Sequence, residues 1–210
     1  MLRMYGFLPK TRALGPHERF ALWVQGCGRS CAGCMTPDAR PLDGGFSMAV
    51  SALAERILAT EDIEGITITG GEPFLQAEEL EKLVREVRSR RDFGVIVYTG
   101  FTLAELREKA EREPAIRNFL GAIDLLIDGP YMAERDDGRS LRGSDNQKIH
   151  PLTDRYAGIV SEWYGRSRRA AELHLVGDAL FLAGIPGRDI LRKWRKKELT
   201  KIGRERGGRF

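Results

Sequence analysis

The chain is poor in cysteine and histidine and has no long apolar run. Its three cysteines all lie between positions 27 and 34, and its three histidines, His17, His150 and His174, are scattered. A secreted disulfide scaffold needs paired cysteines spread along the chain, so that class is excluded. The histidines form no motif, and His174, inside a strand-like pattern, reads as a packed core residue rather than a ligand. No stretch of about 18 apolar residues occurs, and Met1-Leu2-Arg3-Met4 does not lead into a secretory segment. Internal repeats and low-complexity segments are also absent. What remains is ordinary: 210 residues, 42% hydrophobic and 30% charged, the composition of one globular domain, expected in reducing cytoplasm with no membrane partner.

Cys27, Cys31 and Cys34 form C-x3-C-x2-C in one loop. A closed structural zinc site takes four protein ligands, and electron-transfer 4Fe–4S clusters usually take four cysteines. A cubane held by three cysteines leaves one iron open to an outside ligand, which would make the loop a centre for chemistry. Zinc is the alternative, with Asp38 or His17 as fourth ligand, although no histidine lies between Cys27 and residue 149. Redox-active or unliganded thiols are the third possibility.

Residues 66–73 read Ile-Thr-Ile-Thr-Gly-Gly-Glu-Pro, an alternating β-branched strand running into two glycines, a carboxylate and a proline. Gly70 and Gly71 let the backbone approach a ligand closely because no Cβ intervenes. Pro73 stiffens the turn, and Glu72 with exposed carbonyls suits an ammonium group. On this reading Gly71→Val obstructs the ligand and spares the three cysteines. Taken alone, Gly-Gly-Glu-Pro is simply a strand-to-helix turn.

One βα unit after C-x3-C-x2-C, however, that turn resembles the methionine-amino-group motif of the radical S-adenosylmethionine superfamily. Further segments narrow the resemblance to the activating proteins of anaerobic ribonucleotide reductase. These are Gly15-Pro16 with Arg19, Trp23-Val24-Gln25-Gly26-Cys27, Tyr98-Thr99-Gly100-Phe101-Thr102, Ile123 to Tyr131, and Arg142-Gly143-Ser144-Asp145-Asn146-Gln147. Together they span roughly residues 12–150 and part of 176–187. The resemblance implies one 4Fe–4S cluster on Cys27, Cys31 and Cys34. It also implies S-adenosylmethionine held by Gly70, Gly71, Glu72 and Pro73, with Thr99 and Asp128 at nearby strand ends. Two departures bear on the partner protein. Met35-Thr36-Pro37-Asp38 stands where the family usually has a His or aromatic residue and then Asn-Pro, and residues 151–171 and the basic tail run long.

Strands and helices alternate along the chain. Strands are expected at Phe20–Val24, Gly65–Thr69, Val95–Tyr98, Ala122–Ile127, Glu172–Val176 and Ala179–Ala183. Helices are expected from Ser47, as N-cap, to Leu58, at Gln76–Arg91, at Thr102–Arg112 and at Ile190–Lys201. Leu80, Leu83, Val84 and Val87 share one face of the second helix and are candidate core. Such alternation implies an α/β fold with a parallel sheet, here an open partial (β/α)6 barrel, with ligands at the C-terminal strand ends. Residues 1–187 form that barrel with an N-terminal extension, and residues 188–210 a basic helix and tail in the same domain. Residues 129–150, with little apolar content, read as a flap near the opening; Asp136 to Arg139 within it read as a solvated loop.

Residues 188–210 hold ten Lys or Arg against three acidic residues, a net of +7; the whole chain is +4, so residues 1–187 carry −3. Ile190, Leu191, Trp194 and Leu199 give this segment an apolar side, and no nucleic-acid motif accompanies it, so nucleic acid is not the expected partner. An acidic protein is the better fit: a flavodoxin- or ferredoxin-like electron donor, or the substrate. The cluster uses every cysteine, leaving no thiolate for an auxiliary cluster and no spare thiol as hydrogen donor. The expected function is reductive cleavage of S-adenosylmethionine to a 5′-deoxyadenosyl radical, which takes hydrogen from a glycine of a glycyl radical enzyme. A small tailoring enzyme acting on a peptide or metabolite, and a zinc-binding interaction module, are the alternatives.

Overall fold

The computed structural model describes residues 1–166, 169–176 and 179–195. Strands β1 (Leu2–Thr11), β2 (Arg19–Val24), β3 (Phe46–Met48), β4 (Gly65–Gly70), β5 (Gly94–Tyr98), β6 (Leu125–Asp128) and β7 (Lys148–Pro151) form one sheet in the order β3-β1-β2-β4-β5-β6-β7. The central four, β2, β4, β5 and β6, run parallel, whereas β1, β3 and β7 join antiparallel at the edges. The α/β expectation therefore holds. Six parallel βα units do not appear among the described residues.

Helices α1 (Val50–Leu58), α2 (Ala77–Arg88), α3 (Leu103–Arg112) and α4 (Pro114–Gly121) share one hydrophobic core with a single face of the sheet. Ile66, Ile68, Val95, Val97 and Leu126 meet Leu53, Ile57, Leu106 and Phe119 there, and Leu80, Leu83, Val84 and Val87 of α2 are all buried as expected. Each such side chain contributes about 1.5–3 kcal/mol on burial. Alternation along the strands sends Ala21, Trp23, Ile96 and Tyr98 to the opposite face, where no helix of that layer covers them. A second, two-stranded sheet of β8 (Ala171–Val176) and β9 (Ala179–Gly184) packs on that face, after α5 (Ala157–Arg166) and before α6 (Arg188–Arg195).

Several local expectations are corrected. Ser47 lies within the short strand β3, and α1 starts from Ala49 in extended conformation with no side-chain cap, because antiparallel pairing with β1 claims residues 46–48. Thr102, by contrast, closes a full capping box with Glu105. β6 begins at Leu125 rather than Ala122, and α2 spans Ala77–Arg88 rather than 76–91. β1, β7, α4 and α5 add elements that the sequence reading passed over. His174 is half-buried with Nε2 2.8 Å from Glu172 Oε2, so it is a polar partner of that carboxylate and not core. Asp136 is clamped by Arg169 at 2.8 Å and is not a solvated loop residue. The closing helix is described only to Arg195; the rest of the expected 190–201 helix and the basic tail lie outside the described residues.

The far end of the sheet is locked by Arg19, which is fully buried at the start of β2. Its guanidinium donates to Thr67 Oγ1 (2.7 Å), Tyr156 Oη (2.9 Å), Ile66 O (2.9 Å), Gly94 O (2.9 Å) and the Glu64 carboxylate. This network ties three parallel strands to the region leading into α5.

Candidate functional site

The C-terminal ends of the four parallel strands converge on one cavity of about 630 Å³. The loop after β2 carries Cys27, Cys31 and Cys34, and all three line it. Gly70, Gly71 and Glu72 after β4, Thr99 and Gly100 after β5, and Gly129 after β6 line it too. Pro73 does not. It is buried behind the wall as the first residue of a short 3-10 turn, where its fixed φ shapes the chain's exit from the strand.

Asp128 also lies outside the lining, and its expected cofactor role gives way to a structural one. Its carboxylate accepts from Leu103 N (2.6 Å) and Lys148 N (3.1 Å) and sits 3.0 Å from His150 Nε2. It thus caps α3 and joins β6 to β7, which leaves its oxygens committed inside the fold.

The cysteine loop and the Gly-Gly-Glu-Pro turn are built as one unit. Gly71 N donates to Val24 O and Glu72 N to Gly26 O, each at 2.8 Å, continuing the β2–β4 ladder past the strand ends. Thr36 Oγ1 donates to Gly70 O at 3.1 Å, drawing the far side of the loop onto the same turn. The glycines serve this union. A Cβ on Gly70 (φ +109°) would lie 2.5 Å from Val24 N and O. A Cβ on Gly71 would lie 2.7 Å from the Gly26 carbonyl carbon and collide with its oxygen. Gly71→Val therefore strikes the backbone leading into Cys27 before it meets any ligand, which corrects the expectation that the cysteines would be spared.

Glu72 is 2% exposed. Its Oε1 accepts from Phe74 N (3.0 Å) and Thr99 Oγ1 (2.8 Å), and its Oε2 from Gly100 N (2.8 Å). Burial pushes its carboxyl pKa above the ordinary range, against those donors and the nearby charge of Arg29. Thr99 thus acts first as a support that orients Glu72. Three donors leave a carboxylate with one free lone-pair direction, enough for a single cationic group from the cavity.

None of the three thiols is in a disulfide. Burial raises the Cys27 thiol pKa, the N–H of Arg29 opposes it at 3.4 Å from Sγ, and the negative neighbours Glu72, Cys34 and Cys31 raise it further. A cationic metal centre would reverse that balance by favouring thiolates. Among the described residues no three His, Cys, Asp or Glu side chains converge to hold a single metal ion. A cluster does not demand that convergence, since each thiolate takes its own iron. Soft sulfur donors without a fourth thiol fit an iron–sulfur cluster with one open iron. His17 belongs to the turn before β2, at the opposite end of that strand from Cys27, so it is not a fourth ligand. Asp38 does line the cavity.

Other lining residues had gone unnoticed in the sequence. Arg29, inside the cysteine loop, stacks 4.7 Å from the Phe101 ring centroid and reaches toward Glu105 at 3.7 Å. A cation between two cysteines was the available signal. Tyr5, Trp23 and Tyr98 line the cavity from the face of the sheet opposite α1–α4, and Phe181, Leu182 and Trp194 from the C-terminal segment. Strand alternation pointed to the first group; nothing local pointed to the second.

Residues 13–150 match the 4Fe-4S single cluster domain family. The chain belongs to this family. The family match contains the three cysteines, the Gly-Gly-Glu-Pro turn and all four parallel strands, and ends before β8, β9 and α6. The resemblance seen in the sequence is borne out by relatives. The anaerobic ribonucleoside-triphosphate reductase-activating protein of Vibrio cholerae is 32% identical over 160 residues, covering 72% of this chain and 99% of that protein. The protein of the same name from Enterobacteria phage T4 is 32% identical over 146 residues, covering 67% and 88%. A pyruvate formate-lyase-activating enzyme of Clostridium pasteurianum is 32% identical over 99 residues, 45% of this chain and 42% of that one.

Proposed function

We propose that this family member is a radical S-adenosylmethionine enzyme that raises a glycyl radical on a partner, most simply an anaerobic ribonucleotide reductase. The observation that carries the reading is the joint construction of the cysteine loop and the Gly70–Pro73 turn around one cavity. The names of the relatives support the activating role and the kind of partner. The sheet is read as a reduced form of the open partial barrel. Leu191, buried in α6, and Trp194, lining the cavity, support reading residues 188–210 as part of the same domain as residues 1–187. Three thiols outside disulfides suit reducing cytoplasm, and no described helix is long and apolar enough to cross a membrane.

Cys27, Cys31 and Cys34 would hold the cluster, each thiolate on a different iron. When bound, a reduced cluster of this kind supplies one electron to the sulfonium of S-adenosylmethionine, releasing methionine and a 5′-deoxyadenosyl radical that takes a hydrogen atom from the target glycine. The chain's own part is orientation and exclusion of water. Glu72, fixed by Thr99, Gly100 and Phe74, presents its free lone pair to the methionine ammonium. Gly70 and Gly71 keep that carboxylate against the loop that carries the cluster. Tyr5, Trp23 and Tyr98 supply apolar walls on the sheet side. The electron comes from outside, from a flavodoxin- or ferredoxin-like donor.

The test is anaerobic reconstitution followed by dithionite, S-adenosylmethionine and the reductase of the same cell. About four irons per chain, 5′-deoxyadenosine release and a doublet electron paramagnetic resonance signal on the reductase are expected. Replacing any one of the three cysteines with Ala should abolish all of these. Zinc or one iron per chain would sink the cluster assignment in favour of an interaction module. Cleavage without the doublet would favour a tailoring enzyme.

A further inference from the structure

The hairpin of β8 and β9 lies outside the matched span of residues 13–150 and has two unlike faces. Its register places Leu173 opposite Leu182 and Leu175 opposite Leu180. Opposed residues share a face, so four leucines lie together on one side. The other side is anchored. Phe181 packs edge-on to Trp23 with centroids 4.7 Å apart, Ala183 is fully buried, and Glu172 accepts from Thr11 Oγ1 at 2.5 Å and Arg12 N at 3.0 Å. The anchored side therefore leaves Leu173 and Leu175 on the surface.

Leu180 and Leu182 line the cavity, while Leu173 and Leu175 are 50% and 70% exposed. The leucine strip thus begins in the cavity and continues onto the outer surface. Of the six exposed large hydrophobic residues among those described, three (Leu173, Leu175 and Ile190) sit on this hairpin and α6. Leu173 and Leu175, two apart on one strand and so on one face, make a contiguous apolar strip, which marks an interaction site where single exposed leucines do not.

We propose that this leucine face docks the substrate polypeptide, taking an extended apolar segment with acidic residues beside it as the target glycine enters the cavity. The proposal rests on the activase reading and names the chemistry of its substrate. Leu180, Phe181, Leu182, Ile185 and Trp194 make this side of the cavity apolar, with the cations Arg29 and Arg40 elsewhere in the lining. A glycine Cα donor arrives as part of a chain whose neighbours must be covered. Arg192 and Lys193, exposed on α6 just before Trp194 in the chain, suit the acidic flank.

The experiment uses the full reconstituted protein with S-adenosylmethionine and a fluorescent peptide spanning the radical-bearing glycine of the anaerobic reductase from the same cell, read by anisotropy. Leu173→Asp with Leu175→Asp should raise the dissociation constant by about tenfold and lower radical yield on the reductase. Dithionite-driven cleavage without the partner should stay unchanged. Leu173→Ala with Leu175→Ala serves as a milder pair if circular dichroism shows the first to be misfolded. Unchanged peptide binding in a folded variant overturns the docking face alone. Parallel loss of partner-free cleavage in both pairs overturns it too, by showing that the face only supports the cavity. Wild-type protein that cleaves S-adenosylmethionine yet neither binds the peptide nor raises the radical overturns the activase reading itself. Binding that does not weaken with salt removes the acidic flank from the proposal.

Discussion

At the scale of single residues, glycine and aspartate changed meaning between sequence and structure. Gly71 suggested room for a ligand, but the nearest atoms to its missing Cβ belong to Gly26, one residue before Cys27. Gly71→Ala should therefore displace the cysteine loop. The expected outcome is a lower melting temperature and less iron bound on reconstitution, even before S-adenosylmethionine is added. Normal iron content with only ligand affinity lost would restore the earlier interpretation. Asp128 suggested a ligand at a strand end, yet its oxygens serve Leu103 N and Lys148 N. Asp128→Ala leaves the buried Leu103 N without a partner, at about 1–3 kcal/mol, and releases the more exposed Lys148 N at lower cost. A chemical denaturation midpoint should fall accordingly, while S-adenosylmethionine affinity of the folded variant stays near wild type.

At the scale of elements, the flap between β6 and β7 is held by charge. Arg169 grips both oxygens of Asp136 at 2.8 Å and also donates to Gly143 O at 2.7 Å, and Arg188 of α6 approaches Asp136 at 3.5 Å. Burial alone would raise the Asp136 pKa, but the bonds from Arg169 and the Gly138 N–H, with the charges of Arg169 and Arg188, hold it below the ordinary 3.8. A folded pKa below the unfolded one gives stability that is present above the unfolded value and lost as pH falls through the folded one. Hydrogen exchange in residues 133–145 should therefore quicken only on acidification below about pH 4. Arg169→Leu should show that quickening already at neutral pH. Exchange that rises uniformly over the chain in acid would mean that global unfolding, not release of the flap, is observed.

At the scale of the whole molecule, the site and its foundation occupy opposite ends of the same strands. β2 begins with buried Arg19 and ends at the loop that bears Cys27. Arg19→Ala removes one partner of a buried ion pair and strips donors from Ile66 O and Gly94 O, which costs about 3–5 kcal/mol. A urea midpoint shifted by much less would show that Glu64, which Arg155 also approaches at 3.2 Å, is adequately served without Arg19. The electrostatic asymmetry is a property of this scale as well: +7 in residues 188–210 against −3 in the rest. The positive charge is thus concentrated in the C-terminal segment.

Periodic and contiguous features were legible in the residues alone. The four parallel strands and the buried stripe of α2 follow from side-chain spacing, which is a local property of helices and strands. The cysteine loop and the Gly-Gly-Glu-Pro turn were legible because each is a short run of residues with special chemistry. Features that depend on partners distant in the chain emerged from packing and pairing instead. Antiparallel pairing made β3 a strand where Ser47 suggested a cap, since ladder hydrogen bonds to β1 outweigh a local N-cap preference. Committed hydrogen bonds took Asp128 away from the cavity. Packing of Phe181 on Trp23, across more than 150 positions, brought the leucine hairpin to the cavity wall. Contacts of that separation carry no signature in local composition, because burial is settled by which surfaces meet when the chain closes.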